Sequence, residues 1–233
     1  MKTFSLFIGS LFMAVAVLAQ SPDETTAAPK SAEPNPDLAP IGAIMAHVCG
    51  IHFYSGNMKR QIIAHHYCAH WTDEVLECVL YDSDKKDARL IGIEYIVSAK
   101  IFESLPADEK RLWHSHNYEV KSGVLTAPGM SEDAEKDLLK ALIGTYGKTW
   151  HTWQVDRDKL PLGIPQLMMA FTKDGQLNKT TMAERDKLYP VSVAAKKAAR
   201  ADIPDAKIDR GADAWQSGTA VQLDLRTVKA AAK

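Results

Sequence analysis

The chain has 233 residues, 46% of them hydrophobic, and its 28 basic residues against 29 acidic ones leave a formal net charge of −1. That balance gives no electrostatic ground for binding nucleic acid or an anionic membrane surface. The three cysteines include no Cys-x-x-Cys-His, so covalent haem is not indicated.

In chain order, Lys2, the apolar run over residues 4–18 and the small-residue pattern Val17-Leu18-Ala19 read as a signal peptide over 1–19. The run is shorter than the ~20 residues a spanning helix needs, so no transmembrane helix is expected in the mature chain. No Cys stands at the cleavage point, which argues against a lipid-modified N-terminus. The expected location is exported, periplasmic or extracellular. Residues 20–40, made of Pro, Ala, Thr and acids, cannot bury enough apolar surface to offset ordering entropy and read as a disordered tether. Residues 41–189 have the size of one domain, and 190–233 form an Ala/Lys-rich tail with a short helix near 193–200.

Within the domain, Ile62, His66 and His70 recur every four residues, which predicts a helix over 58–71. Residues 76–81 and 89–97 are β-branched and aromatic runs on either side of a hydrophilic connector, and both faces of the second are mostly apolar. It should be an interior strand with Glu94 at least partly buried. Pro106 then opens a short helix. Alternation over 115–125 predicts a strand that points His114 and His116 with Tyr118, Val120 and Val124. Ser131 caps a helix expected to run to Tyr146 and stop at Gly147. Residues 150–157 and 165–171 complete about five strands. The fold class is α+β: a single domain with a mostly antiparallel sheet of about five strands and flanking helices. No Gly-rich phosphate loop, Gly-x-Ser-x-Gly elbow or internal repeat is present.

All eight histidines fall between His47 and His151. Imidazole is the commonest metal ligand, and His66 with His70, one helical turn apart, could join His114 and His116 around zinc or another divalent metal. If the ion kept an open position for water, Glu94 is the candidate to take its proton, as in a metal-dependent hydrolase. The alternative is core histidines whose ring nitrogens bond backbone or a carboxylate, kept neutral by burial. An exported compartment permits disulfides, and the odd number leaves at least one of Cys49, Cys68 and Cys78 unpaired.

The segments His52-Phe53-Tyr54-Ser55-Gly56, His65-His66-Tyr67-Cys68, Trp113-His114-Ser115-His116, Trp153-Gln154-Val155-Asp156-Arg157 and Pro161-Leu162-Gly163-Ile164-Pro165-Gln166-Leu167-Met168-Met169 resemble the oil body-associated protein family. The match runs from about His47 to Gly175. The resemblance implies association with lipid bodies and assigns no reaction. Without a spanning helix, contact with a lipid surface or a protein partner would be peripheral.

Overall fold

The computed structural model describes residues 38–189 and 192–230; the expected signal peptide (1–19) and nearly all of the expected tether (20–40) lie outside the described residues. Among the described residues seven strands form one sheet: β1 (Ala46–Tyr54), β2 (Asn57–Thr72), β3 (Val75–Tyr81), β4 (Leu90–Val97), β5 (His114–Ser115), β6 (Tyr146–His151) and β7 (Gln166–Met169). Neighbours run in the order β4-β3-β2-β1-β7-β6, and β4 pairs again with β6, so six antiparallel strands close into a ring. Closure removes the exposed edges that an open sheet must protect. The two-residue β5 joins the start of β6. This is the expected α+β domain, with more strands than expected.

Three expected elements are corrected; the first is the strand expected over 150–157, which ends at His151 as the last residue of β6 and gives way to turns. Residues 58–71 are not a helix but most of β2. A repeat of four is also twice the strand period, and Ile62-Ile63 and Tyr67 favour a pleated surface. The turn that settles it is Ser55-Gly56, where Gly56 sits at φ +84°, a left-handed position that reverses the chain into β2. Residues 115–125 are likewise not one strand: β5 stops at Ser115 and α3 (Asn117–Ser122) follows, ended by Gly123 at φ +82°. A β-carbon on Gly123 would stand 2.5 Å from the Val193 carbonyl oxygen.

The remaining helices are α1 (Ala99–Ser104), α2 (Ala107–Lys110), α4 (Glu132–Leu142), α5 (Lys179–Leu188) and α6 (Val193–Ala199). As the sequence predicts, Pro106 precedes α2 and the Ser131 side chain caps α4 by accepting from the Ala134 amide. The helix α4 ends before Gly144, because Tyr146-Gly147 already belongs to β6.

Strand alternation sorts most strand side chains into two of three apolar clusters among the described residues. Val48, Tyr54, Ile62, Ala64, Leu80, Ile96 and Met168 share one cluster with Leu139 and Leu142 of α4 and Val120 of α3, whereas Ile51, Phe53, Leu167, Met169 and Phe171 form a second. Cys68 and Cys78, directly opposite on β2 and β3, form a disulfide. Cys49 is buried and free, and burial pushes its thiol up to about 12, which makes it unreactive. The expected α6 is present, but the tail beyond it packs on the domain. Arg200 Nη1 donates to the carbonyls of Val120 (3.0 Å) and Leu125 (2.8 Å), and Ile203 joins the first core.

Candidate metal centre

One parity of the strands carries polar side chains into the first core. On β1 it is His52, on β2 His66, on β4 Glu94 and on β6 Thr149 and His151, each at most 3% exposed. The short β5 and the residue that opens α3 add His114 and His116, and α3 itself turns Glu119 inward. A buried carboxylate surrounded by imidazoles is costly unless cations or protons compensate it, so this cluster demands a chemical explanation.

Glu94 is its centre. Oε2 lies 2.9 Å from His66 Nε2 and 3.5 Å from His52 Nε2, while Oε1 lies 3.2 Å from His116 Nε2 and 3.5 Å from His114 Nε2. His52, His66 and Glu94 make one set of three donors within 4.8 Å of one another, and Glu94, His114 and His116 make another. Around an ion with ligands at 2.0–2.1 Å, adjacent donors stand about 2.9 Å apart in an octahedron and about 3.4 Å apart in a tetrahedron. The separations around Glu94, 2.9–3.5 Å, run from the octahedral value to just beyond the tetrahedral one. Oε2 has no hydrogen-bond partner despite its short approach to His66, and neither nitrogen of His114 has one. Glu94 Oε2 and the His114 nitrogens are thus buried polar atoms whose neighbours are close but not aligned for hydrogen bonding.

The tautomer of His116 follows from its neighbours. The Thr145 hydroxyl spends its one proton on the Leu142 carbonyl at 2.7 Å, so His116 Nδ1 must donate to that hydroxyl, also at 2.7 Å. Burial holds the His116 imidazole below its ordinary pKa, so the neutral ring turns the Nε2 lone pair toward the Glu94 carboxylate. In that tautomer two acceptors face each other, a contact relieved either by a proton on Nε2, which makes the 3.2 Å approach a hydrogen bond, or by a cation between them. Fixing a ligating imidazole through its other nitrogen is the usual outer support of a metal-bound His.

The backbone makes room for the cage. Gly147, paired with His114 on one side and Ile96 on the other, has no β-carbon; one there would stand 2.1 Å from Glu94 Oε1, 2.7 Å from His114 Nε2 and 2.8 Å from His116 Nε2. Asp213, from the tail, accepts from the Ser115 amide (3.1 Å) and hydroxyl (2.7 Å) and so positions the histidines on both sides of Ser115.

Protonation divides the cluster. Burial would raise the Glu94 carboxyl, but the imidazoles of His114, His116 and His66 outweigh it and hold it well below the usual range. His114 goes up, because its contact with Glu94 overcomes burial, contrary to the neutral state expected for it. Burial drives His52 well down and, with His66 nearby, His151 to about 3. Burial pushes the Glu119 carboxyl up to about 8. Among the imidazoles whose values shift, His114 alone goes up, so its place beside Glu94 favours its protonated form.

Of the residues the sequence predicts, the structure brings together Glu94, His66, His114 and His116. His70 is not with them: it is exposed near the end of β2, with Nδ1 3.2 Å from the Thr72 carbonyl oxygen. A four-residue step along a strand covers about 13 Å, whereas the expected helical turn would have stacked the two rings. Both Glu94 oxygens are turned to imidazoles. Sequence reasoning missed His52 and Glu119. The alternation of β1 into Gly50, His52 and Tyr54 pointed to the first; the second needed the helical, not extended, reading of residues 117–122.

A family described as a protein of unknown function (DUF1264) matches residues 38–204. Oil body-associated protein 1B of Arabidopsis thaliana is 43% identical over 192 residues, covering 82% of this chain and 80% of that protein. The similar protein 1A of Zea mays is 44% identical, covering 82% and 81%, and protein 2A of Zea mays is 46% identical, covering 76% and 73%. No solved structure matches the chain. Identity of this level over most of both chains, with the expected segments in the expected order, means that this chain belongs to the oil body-associated protein family.

Proposed function

We propose that this chain is a metal-binding protein that holds zinc or another divalent transition metal inside its barrel, with Glu94, His66, His114 and His116 as ligands and His52 beside them. The observation that carries this reading is the convergence of four imidazole Nε2 atoms on one buried carboxylate at 2.9–3.5 Å, with angles that leave Glu94 Oε2 and His114 Nε2 unbonded. Elemental analysis of the purified full chain tests it. The expected result is a stoichiometric transition metal that is lost in Glu94→Gln and in a His114→Ala/His116→Ala double variant. A chain that purifies without metal, and binds no added zinc, manganese, nickel or copper, overturns it.

A second reading concerns where the protein works. The names of the relatives and an exposed apolar face support peripheral association with a lipid surface or a protein partner. Across the outer side of β2–β4, Ile41, Leu90, Ile93 and Tyr95 are exposed beside Tyr67 and Val79, and Trp71 is 72% exposed. Among the described residues no helix is long and apolar enough to cross a membrane. Flotation with lipid droplets or liposomes decides it: the protein should float, and Ile93→Asp/Tyr95→Asp should sink. A wild-type protein that stays in the soluble fraction at low salt removes the lipid reading. Export is supported by the signal-like residues 1–19 and by the Cys68–Cys78 disulfide, a bond kept in oxidising compartments. N-terminal sequencing of the protein from cells and medium should find a start near Gln20; only Met1 at the N-terminus argues against it.

A further inference from the structure

An ion held at Glu94 has little room for any partner that is not protein. Its donors are all at most 4% exposed. Beside them is a cavity of about 20 Å³, bounded by Glu94, His52, His66 and His116 on one side and by Glu119 and Leu125 across it. A void needs roughly 10–15 Å³ by this measure to hold one water. An ester, a phosphate or a peptide bond with its flanking atoms does not fit.

Gly50 stands next to the wall opposite the cage, where Glu119 and Leu125 bound the void. A β-carbon on Gly50 would lie 3.2 Å from Leu125 Cδ1, 3.6 Å from Glu119 Oε1 and 3.7 Å from His66 Cε1. A methyl group at this position enters the space between His66 and Glu119, touches no ligating nitrogen, and needs no left-handed backbone. Leu125 bounds the void, and a side chain at Gly50 would touch three of its lining residues.

We infer that the ion's open coordination position takes a water-sized ligand and excludes organic ones: the site's substrate class is water or hydroxide, or a diatomic such as dioxygen, superoxide or cyanide. This rests on the metal reading above. It separates the protein from a metal-dependent hydrolase, whose ion must meet a carbonyl or phosphoryl group.

The experiment uses the full chain loaded with cobalt(II), whose visible bands report changes in coordination. Cyanide should shift those bands, and imidazole at the same concentration should not. Gly50→Ala should keep the cobalt bands and weaken the cyanide response at least tenfold. Leu125→Ala, which enlarges the void, should admit imidazole, so the inference stays testable if the glycine variant fails to fold. Cobalt bands that ignore cyanide in the wild type, or that respond to imidazole, overturn the inference and leave metal binding standing. Absence of cobalt bands in the wild type overturns both.

Discussion

His65 and His66 are adjacent in sequence and belong to two different chemistries. His65, on the outer side of β2, stands 3.1 Å from His47 Nε2 and 3.2 Å from the Tyr189 hydroxyl, which in turn donates to Asp84 at 2.9 Å. That is a chain of hydrogen bonds leading outward to an exposed acid, and His47 and Tyr67 stack at its side. His66 points inward, where four imidazoles converge on Glu94 and several nitrogens have no partner. In the outer group only His65 Nε2 is buried without a partner; in the inner one Glu94 Oε2 and several ring nitrogens are. A count of histidines does not distinguish them, but the presence of a shared carboxylate does.

The largest effect should come from the centre of the inner group. Replacing Glu94 by Ala leaves the surrounding imidazoles without their carboxylate, and breaking a buried ionic contact in this way costs about 3–5 kcal/mol. Thermal melts of the Glu94→Ala variant should show this as a fall in Tm of roughly 6–20 °C; a change of a degree or less would mean the inner group is no more coupled than the outer one.

Next is the pH dependence of the metal-free protein in chelator. His52, His116 and His151 have depressed values, so the unfolded chain binds more protons below about 6.5. Their contribution is whole above that pH and is lost as pH falls toward the folded values, about 3 for His151. Glu119 has the opposite sign: its folded value of about 8 lies above its ordinary 4.5, so the folded chain binds more protons and stability is lost as pH rises between the two. His114, also raised, adds to that loss above its ordinary 6.5. Glu119→Gln should therefore gain stability over wild type from pH 5 to pH 8, by about 2–4 kcal/mol at most. Parallel Tm profiles for the two proteins would show that Glu119 is ionised in the fold.

Gly147→Ala should come third. Its β-carbon collides with Glu94 and two imidazoles, and overpacking of a filled core typically costs about 1–3 kcal/mol. Metal content should fall with stability; a variant that keeps full metal content would show that the cage is looser than its distances imply. Smallest is Tyr189→Phe, which cuts the outer chain between His65 and Asp84. The expected loss is about 1 kcal/mol in urea unfolding, with metal content untouched, and a loss of metal would join the two groups that the structure separates.

What could be read from the sequence followed local chemistry. The Ser131 cap, the Pro106 helix start, the interior strand around Glu94 and the pairing of His114 with His116 all depend on neighbours within a few residues. The errors came where one pattern fits two structures. Ile62, His66 and His70 satisfy both a helical and an extended spacing, and only the turn at Gly56 decides. Glu119 fell on the polar side of an expected strand, whereas in α3 it faces the core, because Gly123 ends a helix there. The tail carries no long apolar run, so nothing in its sequence signals that it packs on the domain. Its attachment is made by single polar residues, Arg200 and Asp213, whose partners lie some 75 to 98 positions away.

The ring closure of the sheet also sets an order in time. His52, His66, Glu94 and His114 come from β1, β2, β4 and β5, but the ring closes only when β6 meets β4 and β7 meets β1, which brings Phe53 against Met169. Pairings between residues so far apart along the chain form slowly. During synthesis the strands β1 to β5 therefore emerge with Glu94, His52, His66 and His114 still in water. On the metal reading proposed above, an ion captured at that stage would not have to pass through a finished wall.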